Sequence, residues 1–363
     1  MSIEVDYLFP SQSDGAKQAE MIAIGQTAGT WSAKYAHKED CFKEHLGQVV
    51  SLNRLEDGSQ VARIKFPLNN TENDIASLLT MIFGKYSMAG TAKVIQVKLP
   101  EGYGTSPKFG ITGIRQKLGV WDRPLVMSIF KPALGLSASE HASILQEVAS
   151  AGLDIIKDEE LLGDFPSAPT LERLKACTQV IDRYQQQTGK TILYAVNVTG
   201  RADVLLERAR LLVRNGANAL LLNVLSYGFS VLEALANDSE IQVPIFAHPA
   251  LAGAICGSPD YGLSYEVVLG TLMAHAGADA VLLPSSYGNL QLKAHQEQQI
   301  RDILRSRNIF PVPSAGMRPA IVPQALADYG IDVILNAGTG IMDHPAGPQE
   351  GVNAFFQAVK MST

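Results

Sequence analysis

From residue 119 onward, eight short apolar runs recur, each separated from the next by an amphipathic stretch of helical spacing. They are PLVMSIF (124–130), LDIIK (153–157), TILYAVNV (191–198), ALLLNVL (219–225), VPIFAH (243–248), AVLLPS (280–285), IFPVPS (309–314) and VILNAG (333–338). Parallel strands need a long right-handed crossover between them, so eight runs with helical intervals predict an α/β fold, a (β/α)8 TIM barrel. An internal echo supports the count. Gly-x-Asp/Asn precedes the second, fourth, sixth and eighth runs, in AGLD (151–154), NGAN (215–218), AGAD (276–279) and YGID (329–332). Each of these glycines can end a helix in the left-handed conformation just before a strand, which is a structural role at the N-terminal end of the barrel.

A barrel of this kind takes about 250 residues. The chain has 363, which leaves roughly 110 for a second, smaller domain. The predicted division is 1–118 and 119–363. In the first part QAEMIAIGQTAG reads as a helix, while VVSLNRLED, QVARIKFPL and AKVIQVKLP read as strands with period-2 patterning. NDIASLLTMIFGKYS has Ile75, Leu78, Leu79 and Ile82 at helical spacing. The expectation is an α+β, ferredoxin-like domain with its helices on one face.

Thirty basic residues against 36 acidic ones give a net charge of −6, so no basic field is available to hold a nucleic acid backbone. The cysteines, Cys41, Cys177 and Cys256, show no C-x-x-C spacing and fit a reducing compartment. MSIEVDYLFPSQSDG carries acidic residues where a signal peptide would be basic, and no stretch reaches the ~18 apolar residues of a membrane span. A soluble cytoplasmic protein without membrane contact is expected.

Active sites of such barrels form at the C-terminal ends of the strands. Polar residues stand there: Lys131 after the first run, Lys157-Asp158-Glu159-Glu160 after the second, Asn197, Asn223, His248, Ser285-Ser286, Ser314-Ala315-Gly316 and Gly338-Thr339-Gly340. The small residues after runs seven and eight suit backbone N–H groups approaching a phosphate, though they also suit tight turns. The carboxylates after run two suit Mg²⁺, which takes oxygen ligands. Equally, they read as a solvated charge run at a helix start. A strand-end lysine such as Lys131 can serve as acid or base when desolvated, or as a phosphate-binding or snorkelling charge. His248 gains interest from its strand-end position. His37, His45, His141, His275 and His295 fall in predicted helices or polar loops, and His344 is read as shaping a loop.

SIFKPALGLS (128–137), GLDIIKDEE (152–160), FAHPAL (246–251), PVPSAGM (311–317) and GTGIMDHPAG (338–347), in this order and spacing, resemble the large subunit of RuBisCO and, more closely, the RuBisCO-like proteins. GQTAGTW (25–31) and FPLNN…LLTMIFGKYS are similar to that family's N-terminal domain. The resemblance implies that Lys157 reacts with CO₂ to form a carbamate that ligates Mg²⁺ together with Glu159 and Glu160. Glu159 stands where most of the family has aspartate. Lys131 matches the enolising lysine of the carboxylases, and Lys85 the lysine proposed as proton-abstracting base in the enolising relatives. His248 matches an active-site histidine. Thr30, Trp31 and Lys85 resemble residues that reach in from a neighbouring subunit, which implies a homodimer with shared sites. Ser314, Gly316, Gly338 and Thr339 fall on the substrate and phosphate loops.

Four charged groups of a carboxylase are missing: Asn289 replaces a lysine after run six, Ala133 a second lysine, Gly25 a glutamate, and Pro249 an arginine. Carboxylation of ribulose bisphosphate is therefore not expected, while enolisation beside a carbonyl survives. FGK (83–85) and LYAVNVTG (193–200) are similar to the members that enolise 2,3-diketo-5-methylthiopentyl 1-phosphate in methionine salvage. The alternatives are a sister activity, such as 5-methylthioribulose-1-phosphate isomerisation or decarboxylation of a phosphorylated 3-oxo acid, and non-catalytic binding of a sugar phosphate.

Overall fold

The computed structural model describes residues 2–288 and 292–362. In chain order its strands are β1 (Ser2–Phe9), β2 (Gln48–Arg54), β3 (Gln60–Pro67), β4 (Lys93–Lys98), β5 (Leu125–Ile129), β6 (Ile155–Lys157), β7 (Leu193–Asn197), β8 (Ala219–Asn223), β9 (Ile245–His248), β10 (Gly262–Leu263), β11 (Ala280–Pro284), β12 (Phe310–Ser314) and β13 (Ile334–Ala337). Two compact units result: Met1–Thr105 with Gly228–Ser230 and Leu251–Ala276, and Ser106–Tyr227 with Val231–Ala250 and Gly277–Thr363. Relative to the join expected near residue 119, the second unit begins at Ser106 and takes in a helix at Gly110–Leu118.

The first unit holds a sheet of order β10-β4-β1-β3-β2, with β1 antiparallel to both β3 and β4. Helices Gly15–Gly25 and Ile75–Leu79 follow β1 and β3, so the core succession is the β-α-β-β-α-β of a ferredoxin-like unit. β1 escaped the sequence reading, although its alternation is plain: Ile3, Val5, Tyr7 and Phe9 are fully buried. The helix expected over 73–87 is broken into pieces. Asp74 caps its start by accepting the Ser77 N–H at 2.9 Å, and beyond Leu79 the chain continues as a π turn over Thr80–Gly84 and a 3₁₀ turn over Tyr86–Met88. Lys85 sits between the two irregular turns, the kind of local departure often found at functional positions.

The second unit is the barrel, and all eight expected runs are its strands. Parallel pairing runs β12-β11-β9-β8-β7-β6-β5-β13. Asn336 on β13 donates to Ser314 Oγ on β12 at 2.8 Å, linking the ends of that order. Leu125, Met127, Ile155, Ala195, Leu221, Phe246, Val312 and Ile334 fill the interior, and Ile111, Ile114 and Leu118 of the Gly110–Leu118 helix pack into the same cluster. Burying each large side chain of this kind stabilises the fold by about 1.5–3 kcal/mol. Gly152, Gly216, Gly277 and Gly330 all have positive φ, of 81°, 95°, 92° and 60°, as a glycine there allows, but Gly330, with ψ of −158°, ends its helix outside the left-handed helical conformation expected of it. The residue two places on completes the device. Asp154, Asn218 and Asp279 accept the N–H groups of Val126, Tyr194 and Ile245, so the turns before β6, β8 and β11 pin β5, β7 and β9, whereas Asp332, before β13, accepts from the Arg115 guanidinium instead.

Candidate active site

Side chains alternate along a strand, so every second residue of the interior column stays inside the barrel. Continuing by two from Ile155, Ala195, Leu221, Phe246, Val312 and Ile334 reaches Lys157, Asn197, Asn223, His248, Ser314 and Asn336 at the C-terminal mouth. The polar residues at the strand ends are the upper layer of the core.

Lys157 is only 1% exposed. Its Nζ donates to the Asp158 carbonyl at 3.0 Å and stands 3.5 Å from Glu160 Oε2. Burial lowers its pKa, with the charges of Glu160, Glu159 and Asp158 opposing the shift. On its other side, Glu160 Oε2 lies 3.4 Å from His248 Nε2. Burial alone would raise the Glu160 carboxyl, but the facing His248 and Lys157 outweigh it and hold it below the usual range. Burial, with the Lys157 charge added, pushes the His248 imidazole down, against the opposing pull of the Glu160 carboxylate. Glu159 Oε2 is 3.0 Å from Lys131 Nζ. The same oxygen is buried without a hydrogen bond among the described residues, so the contact is an ion pair and not an aligned hydrogen bond.

Asp158 has the opposite parity and turns outward to the helix layer. It is fully buried against Arg173 of the Thr170–Thr188 helix, whose guanidinium reaches both carboxylate oxygens at 3.2 and 2.9 Å, and Tyr194 Oη donates to it at 2.6 Å. The Asn197 N–H completes the set at 2.9 Å. A solvated charge run at a helix start is thereby excluded, because Asp158 and Glu159 are buried and the next helix begins at Thr170.

Among the described residues no three His, Cys, Asp or Glu gather as a complete metal cluster. Glu159 and Glu160 nevertheless fit a small hard cation: two carboxylates meet at the mouth, one with a buried oxygen that lacks a hydrogen bond. Lys157 between them could supply a further oxygen only if its nitrogen carried a carboxylate.

The loops after β12 and β13 lie on the same mouth. Ser314 and Gly338 are partly buried, Gly316 and Thr339 exposed. A Cβ on Gly338 would come 3.4 Å from Lys131 Cε, so the lysine stem lies along this loop. Gly316 has φ of 80°, and a Cβ there would come 2.4 Å from Gly288 Cα; turn geometry and packing alone already require glycine. Asn289 lies outside the described residues.

In the first unit Lys85 is exposed and lines a groove of about 450 Å³ with Gly25, Gln26, Tyr86, Lys17 and Met21. Gln26 joins the two segments, donating to the Met81 carbonyl at 2.9 Å and accepting the Tyr86 N–H at 3.0 Å. Thr30 is exposed, and Trp31 packs its ring 5.2 Å from that of Phe42. The sequence reading gave no part to Asn336, Arg173 or Tyr194. Strand parity would have found Asn336, whereas Arg173 carries no local signal.

The family profile described as ribulose bisphosphate carboxylase large chain, catalytic domain, matches residues 110–309. A Microcystis aeruginosa protein named 2,3-diketo-5-methylthiopentyl-1-phosphate enolase is 67% identical over 359 residues, covering 99% of this chain and 93% of the relative. A Bacillus velezensis protein of the same name is 42% identical, covering 96% of this chain and 89% of its own. Among solved structures, a rubisco-like protein (MtnW) from Alicyclobacillus acidocaldarius superposes with a TM-score of 0.92 at 39% identity, covering 99% of this chain and 94% of that one. On these matches along almost its whole length, and on the barrel mouth described above, this chain belongs to the RuBisCO large-chain family.

Proposed function

We propose that the chain is an Mg²⁺-dependent enolase of 2,3-diketo-5-methylthiopentyl 1-phosphate, a keto–enol tautomerase of methionine salvage. The observation that carries this reading is the 67% identity, over 99% of the chain, to a protein of that name. In the reaction a C–H bond breaks at C1, the phosphate-bearing carbon. Its electron pair forms the C1–C2 double bond, and the C2 oxygen takes a proton to become the enol hydroxyl.

Lys157, as its carbamate, would hold Mg²⁺ together with Glu159 and Glu160. The lowered pKa of the buried amine supports this, since only a neutral amine attacks CO₂. Held there, Mg²⁺ would supply charge stabilisation for an enolate oxygen. Lys85, contributed by a second copy of the chain in a cytoplasmic homodimer, takes the C1 proton on Nζ, with Thr30 and Trp31 reaching in beside it. Lys131 steadies the developing negative charge, and His248 offers a hydrogen bond to the substrate. Backbone groups around Ser314, Gly316, Gly338 and Thr339 take the phosphate.

The test is to incubate purified protein with this diketone, Mg²⁺ and bicarbonate, and to follow the enol by its ultraviolet absorbance. A Lys85→Ala variant that still binds substrate should lose at least about a hundredfold in turnover. Wild-type protein that leaves the diketone unchanged would sink the assignment; near-normal turnover by the variant would remove Lys85 as base.

A further inference from the structure

The turn after β6, residues 158–162, belongs to no helix or strand, so its carbonyl groups must find partners outside any ladder. Two asparagine side chains of the interior column supply them. Asn197 Nδ2 donates to the Glu160 carbonyl at 3.1 Å and the Leu162 carbonyl at 3.1 Å, with the Glu159 carbonyl at 3.4 Å. Asn223 Nδ2 donates to the same Glu160 carbonyl at 2.9 Å. One oxygen has two lone pairs, and here both are taken by amides from neighbouring strands.

Neither carboxamide is free to turn over. Asn197 Oδ1 accepts the Thr199 N–H at 3.0 Å, and Thr199 Oγ1 accepts the Asn223 N–H at 3.1 Å, so the two grips form one connected network. Reversing Asn223 would set its Oδ1 against the Glu160 carbonyl oxygen. Both asparagines are buried, at 1% and 7% exposure, where hydrogen bonds are shielded from water. The gripped residue is the one whose carboxylate faces Lys157 and His248.

We infer that Asn197 and Asn223 are positioning residues, whose joint hold on the Glu160 carbonyl fixes where the carboxylates of Glu159 and Glu160 meet. The inference rests on the reading of Lys157, Glu159 and Glu160 as cation ligands. It does not depend on which diketone or sugar phosphate is turned over. Groups behind the ligands of a metal commonly set its affinity by 10- to 100-fold when removed.

The test is Mn²⁺ binding to full-length protein in bicarbonate buffer, followed by the electron paramagnetic resonance signal of free Mn²⁺ at a temperature where every variant is folded. Asn223→Ala and Asn197→Ala should each weaken Mn²⁺ binding by about 10-fold or more, and saturating Mn²⁺ should restore most of kcat. A merely structural role would lower the melting temperature and leave the Mn²⁺ affinity of the folded protein unchanged, which overturns the inference. Should Asn197→Ala fail to fold, Asn223→Ala decides alone. Wild-type protein that binds no Mn²⁺ would overturn the ligand reading and this inference together; wild-type binding with unaltered variants overturns the inference only.

Discussion

Lys131 Nζ stands 3.0 Å from Glu159 Oε2, an ion pair that ties the end of the first barrel strand to the turn after the second. An aspartate at 159 would hold its carboxylate one methylene closer to the backbone. The longer side chain gives Lys131 a fixed partner while the lysine stem passes beside Gly338 on the eighth loop. One lysine thus lies between the acidic turn and the loop after β13.

Lys131→Met should therefore do two things. It removes a cation from the mouth and leaves Glu159 Oε2, already without a hydrogen bond among the described residues, without its ion-pair partner. The expected result is a stability loss of about 1–3 kcal/mol in urea unfolding, together with a fall in turnover of about a hundredfold. Unchanged unfolding would mean that the pair contributes nothing to the fold.

Arg173 and Asp158 form an ion pair buried on both sides, satisfied further by Tyr194 and the Asn197 N–H. Breaking such a pair from one side strands a charge, so Arg173→Met should cost about 3–5 kcal/mol. Replacing both, as Arg173→Met with Asp158→Leu, should recover a large part of that loss. A double variant no better than the single one would show that the cost lies in packing and not in the uncompensated carboxylate.

His141 is fully buried against Phe130, with ring centroids 4.9 Å apart, and Nδ1 meets the Ser137 carbonyl at 2.8 Å while Nε2 has no hydrogen-bond partner among the described residues. Burial lowers its pKa from 6.5. Above that pH the ring is neutral in both folded and unfolded chains and stability does not depend on it. As pH falls through 6.5 the unfolded chain takes the proton first, so stability is lost progressively until the lower folded pKa is passed. Urea midpoints measured from pH 7.5 down to pH 5 should fall more steeply for wild type than for His141→Gln. Parallel slopes would contradict the buried neutral ring.

Cys41 is exposed, whereas Cys177 and Cys256 are buried and burial pushes their thiols up, Cys256 to about 12. Only the thiolate reacts with a disulfide reagent. One thiol per chain should titrate with Ellman's reagent under native conditions and three in denaturant; rapid loss of two or more native thiols would mean that the segments holding Cys177 or Cys256 open readily.

The eight barrel strands were legible because each is a continuous apolar run, and all eight runs appear as strands. β1 carries an equally plain alternation of Ile3, Val5, Tyr7 and Phe9 but was not among the strands expected. The Gly110–Leu118 helix was not legible. With Gly110 and Gly113 inside it, local propensity argues against a helix, and it is held by Ile111, Ile114 and Leu118 packing into the barrel and by Asp279 accepting the Phe109 and Gly110 N–H groups. β10 is equally opaque, two residues that join β4 from far along the chain.

At the mouth the division follows the same physics. The sequence by itself determined how many strand–helix units there are and which polar residues end each strand. Through the two-residue alternation fixed by covalent geometry, it also determined that Lys157 faces inward and Asp158 outward. What only the tertiary structure decided is which groups these residues meet: Arg173 behind Asp158, Lys131 against Glu159, and Asn197 with Asn223 on the Glu160 carbonyl. Those partners come from separate strands and helices, and their distances follow from how the strands stagger around the barrel, which no local spacing encodes.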